Sequence, residues 1–219
     1  MGDGCWTMML LVSLAGTASA EIIDRIAVTV GDQVITESHL LLEMRVAAFL
    51  NGETPDLSPA ARRKAAERLV DLALIQHEME LSRYPMPGPP EVEPMLKRVR
   101  EERGLTDEAR YRAELEKYHI TDEDVRDHLL RQLATLRFIN FRFTPGIDLP
   151  EAEVQEYYSK QFLPEWKKKN GDKTPPSLEE ARPQIESILN DQRADQALER
   201  WLKQARSQTR LSFRSEVFQ

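Results

Sequence analysis

The stretch of residues 22–50 constrains the fold most, because its apolar periodicity changes from that of a strand to that of a helix within a few positions. Residues 26–30 carry Ile, Val and Val at every second position, which is the pattern of a half-buried strand. Gly31-Asp32 predicts a tight turn into a second short strand. Thr36 or Ser38 can cap a helix that follows at once. We therefore expect a β-hairpin that leads directly into a helix.

Helical periodicity continues through most of the remaining chain. Ser58-Pro59 predicts the start of a second helix, and the capping box formed by Ser177 and Glu180 predicts the start of a last, long one. The proline-rich segment 84–90 predicts an extended connector, since proline removes a donor and restricts its predecessor. Residues 211–217 alternate again and predict a final strand. Further helices are expected over 91–103, from 106 to 118 and from 121 to about 143.

The first twenty residues predict a secretory signal sequence, although Asp3 stands where positive charge is usual. An apolar run at 8–12 is followed by small residues and by the cleavage pattern Ala18-Ser19-Ala20. We expect cleavage near Ala20, export to the periplasm and no stable membrane insertion, because the apolar run is too short to span a bilayer. The single cysteine, Cys5, lies inside this segment, so the exported chain would fold without disulfides.

Charge and motif content argue against several classes of function. A net charge of −7 and a pI near 5.3 give no electrostatic footprint for nucleic acid. The four histidines are scattered, and no HExxH motif, glycine-rich phosphate loop or GxSxG elbow occurs. We expect no cofactor, no metal and no catalytic residue, which favours a protein that is not an enzyme.

Four segments, in the same order, resemble the amino-terminal region of SurA-type periplasmic chaperones, a family related to parvulin-type peptidyl-prolyl isomerases. They are the hairpin at 24–36, the helix at 67–84, the helical run at 91–142 and the helix that opens at 149–158. The resemblance implies a mostly helical, trigger-factor-like peptide-binding domain. It also implies that the last helix and strand return to the amino-terminal hairpin and complete a small antiparallel sheet.

The sequence departs from the isomerase members of this family after residue 162. In place of a parvulin domain it has the short polar segment 163–176, which is far smaller than a domain. The expected organisation is a signal sequence (1–20), a SurA-like chaperone domain (21–162), a polar linker (163–176), and a helix and strand (177–219) that complete the chaperone domain.

Apolar side chains remain the best candidates for a functional surface. Methionine is flexible and tyrosine is amphipathic, so a groove of such residues accepts many peptide sequences. The same residues also fit an ordinary core. We expect an ATP-independent holdase for unfolded exported or outer-membrane proteins; the alternatives are a peptidyl-prolyl isomerase and a non-catalytic envelope subunit with one fixed partner. The sequence leaves client identity and oligomeric state open. The candidate peptide-binding residues are Met79, Tyr84, Met86, Met95, Tyr111, Tyr118, Leu130 and Phe138.

Overall fold

A computed structural model describes residues 24–144, 149–171 and 173–219 of the chain, and most of these residues are helical. The expected signal sequence lies outside the described residues. The strands are β1 (Ile26–Val30), β2 (Gln33–Thr36) and β3 (Leu211–Phe213). The helices are α1 (Glu37–Asn51), α2 (Pro59–Leu81), α3 (Glu93–Glu102), α4 (Glu108–Tyr118), α5 (Asp122–Phe143), α6 (Glu151–Tyr157), α7 (Leu163–Asn170) and α8 (Leu178–Gln208). Short 3₁₀-helices cover Pro89–Val92 and Ser215–Phe218, and a π-helical turn covers Tyr158–Phe162.

The three strands form one antiparallel sheet in the order β2-β1-β3. Val28 in the central strand pairs with Ile35 on one side and with Phe213 on the other. Gly31 makes the hairpin turn with a φ of 63°, a conformation that glycine adopts without strain, and its N–H donates to the carbonyl of Arg210 at 2.9 Å. The prediction of a mostly helical fold with a small antiparallel sheet is confirmed.

A β-bulge at Ala27 changes which residues of β1 face the core. Ile26 pairs with Thr36 and Val28 pairs with Ile35, so Ala27 is an extra residue without a partner of its own on β2. Ala27 and Val28 are both fully buried, whereas Ile26 is 41% exposed. The predicted alternation is therefore wrong at Ile26, because the bulge turns its side chain to the outer face of the sheet.

The helices begin where polar side chains can satisfy free backbone N–H groups. At the start of α1 the Thr36 hydroxyl accepts from the His39 N–H, and at the start of α2 the Ser58 hydroxyl accepts from the Ala61 N–H. Both residues are predicted caps. Thr121 and Ser177 form full capping boxes with Asp124 and Glu180 at the starts of α5 and α8. The two longest of the described helices, α2 and α8, thus begin at local sequence signals.

Within the described residues, buried apolar side chains form four clusters. The first joins the sheet to α1, α2 and Val217, and the second joins α1 to α3, α4 and α5 around Phe49. The third lies between α6 and the first half of α8, and the fourth joins α2, α5 and the second half of α8 around Phe138. Arg206 of α8 reinforces this last contact by donating to Asp71 at 2.6 Å and to Glu67 at 3.0 Å on α2.

Two predicted segments differ from the structure. The predicted polar linker 163–176 starts with helix α7, which continues the π-helical turn after α6 and ends at Asn170. The predicted strand over 211–217 stops at Phe213, and the chain then turns into a 3₁₀-helix that buries Val217 in the first cluster. An alternating pattern this short does not distinguish a strand from a strand followed by a tight helical turn.

Candidate functional site

Three of the predicted peptide-binding residues are core residues. Met79 is 3% exposed, Tyr111 is 1% exposed and Phe138 is fully buried. Tyr111 packs edge-on against Phe49 and donates its hydroxyl proton to Asp122 at 2.8 Å. Side chains that are enclosed in this way cannot contact a peptide, so the prediction that these three line an open groove is wrong.

Four other predicted residues are half-buried and belong to two different clusters. Met95, Tyr118 and Leu130 pack against the second cluster, and the Tyr118 hydroxyl donates to the carbonyl of Glu53 at 3.0 Å. Tyr84 packs against the fourth cluster, as do Met79 and Phe138. The eight predicted residues therefore do not line one continuous groove.

Exposed apolar side chains lie on the two segments that meet at Tyr84, and we call this set of residues the connector patch. It consists of Leu81, Tyr84 and Met86 from the end of α2 and the following connector, together with Phe141 of α5. Leu81 is 68% exposed, Met86 is 57% exposed and Phe141 is 61% exposed. The Tyr84 ring lies 5.3 Å from the Phe141 ring, centroid to centroid, so the two segments meet at this point. Of the predicted residues, only Tyr84 and Met86 belong to the connector patch.

The backbone after α2 explains why these side chains are exposed. Arg83 takes a left-handed conformation with a φ of 53°, and the Tyr84 N–H then donates back to the Met79 carbonyl at 2.9 Å, which ends the helix. Pro85 and Pro87 keep the chain extended, because neither can supply an N–H for a further helical turn. Met86 stands between these two prolines and points into solvent.

Two ion pairs join α5 to the segments on the other side of the connector patch, and the arginine lies on α5 in both. Arg142 of α5 lies 3.9 Å from the carboxylate of Glu78 on α2, and Arg137 of α5 lies 2.6 Å from that of Glu91 on the connector. The Glu91 carboxylate also accepts from the Gly88 N–H at 2.7 Å, and this bond and the Arg137 pair lower its pKa. The surface is thus apolar at its centre with a nearly neutral charged rim, as at many protein-binding surfaces.

The most buried carboxylate among the described residues belongs to Glu43, and it joins α1 to α5. It accepts a hydrogen bond from His128 at 2.7 Å and another from Arg131, and the His39 imidazole lies 3.6 Å away. Burial alone raises the pKa of Glu43, but the hydrogen bond from His128, the nearby His39 imidazole and the charge of Arg131 outweigh it and hold this pKa well below 4.5.

This carboxylate–histidine cluster suits a structural role better than catalysis. A carboxylate with a strongly lowered pKa is a poor general base near neutral pH. Glu43 is also saturated by partners from its own chain, which leaves little capacity for a substrate. We therefore interpret the cluster as an ion-pair network that fixes the angle between α1 and α5, a network that the sequence did not predict.

A cleft of about 400 Å³ beside α4 is lined by charged side chains, among them Arg100 and Arg126. Arg100 pairs with Glu108 at 3.1 Å, and Arg126 pairs with Asp122 and Glu93. Because these guanidinium groups already have carboxylate partners, the cleft has no surplus positive charge to hold an anion.

Within the described parts of the chain, no group of three or more histidine, cysteine and acidic residues has the arrangement of a metal site. Over the same residues, no helix has the length and hydrophobicity needed to cross a bilayer. No protein-family model matches the sequence, and no curated protein matches it at a significant level. The resemblance to SurA-type chaperones therefore depends on the four sequence segments alone and stays a prediction.

Proposed function

We propose that the chain is an ATP-independent chaperone of the cell envelope that holds unfolded exported polypeptides on the connector patch. The observation that carries this proposal is that Leu81, Met86 and Phe141, each more than half exposed, lie on the two segments that meet where the Tyr84 ring contacts the Phe141 ring. Single exposed apolar residues are ordinary on protein surfaces, but a cluster rimmed by charge is typical of a binding site. The sequence resemblance to SurA-type chaperones supports the same function.

The chemistry of the connector patch suits many different peptide sequences. Met86 has an unbranched, polarisable side chain that adapts to irregular partners, and Tyr84 offers an apolar ring with a polar end. Burial of two to four client side chains at about 2 kcal/mol each, less the free energy of ordering the client, gives dissociation constants of roughly millimolar to micromolar. Binding of this strength allows release without ATP.

The proposal also includes the compartment in which the chaperone acts, which is the periplasm. An exported chain meets unfolded polypeptides in the periplasm, where proteins destined for the outer membrane pass before they fold. The predicted signal sequence at 1–20 supports this location, and fractionation of cells that produce the full-length chain tests it. Recovery of an uncleaved protein in the cytoplasm would contradict the envelope role while leaving peptide binding open.

Aggregation assays with several unrelated clients test the holdase function. The double variant Met86→Thr, Phe141→Thr removes two exposed apolar side chains from the connector patch. The double variant Ile26→Thr, Val34→Thr is the matched control, since these two residues are 41% and 49% exposed on the outer face of the sheet. Suppression of client aggregation should fall in the first variant and persist in the second.

If both variants suppressed client aggregation as well as the unmodified protein does, the connector patch would not be the binding surface. Tight binding to one protein, with no protection of unrelated clients, would instead support a subunit with a fixed partner. A proline-limited refolding assay addresses the isomerase alternative. Acceleration well above the uncatalysed rate would replace the holdase proposal with an enzymatic function.

A further inference from the structure

Helix α7 ends in a cluster of exposed lysines, which we call the lysine tip. Lys167, Lys168 and Lys169 occupy the last turn of α7, and Lys173 follows shortly after the helix. All four side chains are exposed. The sequence contains nine lysines, and five of them lie between residues 160 and 173, so the cluster is a concentrated feature of the chain.

Within the described residues, no ion pair neutralises the positive charge of the lysine tip. Lys160, one π-helical turn earlier, pairs with Glu156 at 2.7 Å. Among residues 24–144, 149–171 and 173–219, no carboxylate forms such a pair with any lysine of the tip. The negative end of a helix dipole corresponds to about half a charge, so it balances only a fraction of three adjacent ammonium groups. The acids nearest in sequence, Glu165 and Asp172, leave residues 165–173 with net positive charge in a chain of net charge −7.

Apolar side chains lie next to the lysine tip and are incompletely covered. Leu163 and Trp166, both on α7, are partly exposed and belong to none of the four apolar clusters of the described residues. Among the described residues, α7 contacts chiefly the π-helical turn that precedes it. Tryptophan and leucine beside several lysines are typical of segments that lie in the headgroup region of a membrane.

We propose that the lysine tip docks on an anionic lipid surface, with Trp166 at the level of the headgroups. The lysines complement the negative surface charge of such a membrane, and their long side chains reach phosphate groups while the aromatic ring enters the interface. A lipid bilayer is favoured over nucleic acid because its flat surface needs to meet only the tip. A nucleic acid that followed the protein surface would meet the excess of acidic residues elsewhere. This docking is independent of the chaperone activity.

Vesicle co-sedimentation with the full-length protein tests the docking. The probes are phosphatidylglycerol–phosphatidylethanolamine vesicles, pure phosphatidylcholine vesicles, and a single-stranded oligonucleotide, each at low and at physiological salt. The tip variant changes Lys167, Lys168, Lys169 and Lys173 to glutamine. The matched control changes Lys64, Arg68, Arg200 and Lys203 to glutamine, four exposed cations elsewhere with the same change in net charge.

Each lysine near an anionic surface strengthens binding about fivefold, and a helix end presents about two lysines to a plane at once. We therefore expect the tip variant to bind the anionic vesicles about 25-fold more weakly, while the control variant loses less than threefold. Trp166→Ala should weaken binding at high salt, where the apolar contribution persists. The proposal would be overturned if the two glutamine variants lost binding equally, or if the unmodified protein did not bind anionic vesicles. It would also be overturned by equal binding to phosphatidylcholine vesicles or by a preference for the oligonucleotide. Competition by inorganic phosphate alone would likewise indicate an ion site instead of a lipid surface.

Discussion

Replacement of Glu43 by glutamine removes the charge that joins α1 to α5 while it keeps the shape of the side chain. The Glu43 side chain is 9% exposed and that of its partner Arg131 is 37% exposed. Hydrogen bonds to charged groups contribute about 1.5–3 kcal/mol, and water partly solvates the arginine once the pair is lost. We expect Glu43→Gln to lower the free energy of unfolding at pH 7 by about 1–2 kcal/mol, which corresponds to roughly 2–8 °C in the melting temperature.

The pH dependence of the stability difference between the Glu43→Gln variant and the unmodified protein is the more specific test. The pKa of Glu43 is lowered in the folded protein, so the ionised carboxylate stabilises the fold above its unfolded value of 4.5, and this stabilisation is lost as the pH falls below that value. Between pH 5 and pH 3.5 the stability difference between the two proteins should therefore shrink by about 1.3 kcal/mol. Both pH values lie below the usual titration range of histidine, which isolates the carboxyl group.

Urea denaturation followed by circular dichroism measures the free energy of unfolding at both pH values. Glu80→Gln, an exposed carboxylate near the end of α2, is the matched control and should change stability by less than about 0.5 kcal/mol at either pH. A stability difference for Glu43→Gln that is the same at pH 5 and pH 3.5 would refute the interpretation of Glu43 as an ionised, paired carboxylate.

Three further substitutions separate buried contacts from exposed ones. Phe138→Ala empties a fully buried site at the centre of the fourth cluster and should lower the free energy of unfolding in urea by about 3–5 kcal/mol. Arg206→Gln removes the bonds to Asp71 and Glu67 and should lower the free energy of unfolding by about 1–2 kcal/mol. Amide hydrogen exchange in β3 should become faster, and unchanged exchange there would argue against the role of Arg206 in holding α8 on α2. Ile26→Thr should change the melting temperature by less than about 2 °C because the bulge exposes this side chain, and a loss as large as that of a core residue would show that Ile26 is buried.

Features set by neighbouring residues were predictable from the sequence. The starts of α2 and α8 depend on Ser58 and Ser177, whose side chains bond to backbone groups three residues away. The hairpin depends on Gly31, and the end of the helical pattern near Tyr84 depends on the prolines that follow. In each case the necessary partners lie within a few positions of each other, so the local pattern contains the information.

Features set by tertiary packing were not predictable in the same way. Helical periodicity identified Tyr111 and Met86 as apolar candidates, but it does not say what covers them. Tyr111 is enclosed because it packs against Phe49 of α1 and bonds to Asp122 of α5, whereas Met86 lies between two prolines of the connector and stays exposed. The bulge at Ala27 likewise depends on the register of β1 against β2, and a one-residue shift reverses the direction of a side chain.

The network around Glu43 shows the same limit for polar residues. His39 is one helical turn from Glu43, and this spacing is visible in the sequence. His128 and Arg131, which supply the hydrogen bonds, come from α5, far along the chain. Only the packing of α5 on α1 brings His128 and Arg131 to the carboxylate. The spacing of the histidines in the sequence therefore does not indicate that they share a site.

The pairing of β1 with β3 has a consequence for the order of events during synthesis. The central strand pairs with its second neighbour only after Phe213, the partner of Val28, has been synthesised far along the chain. Contacts this distant form slowly, and the growing chain keeps a strand edge open in the meantime. A ribosome stalled before β3, or a protease that removes it, would leave an unfinished product prone to self-association.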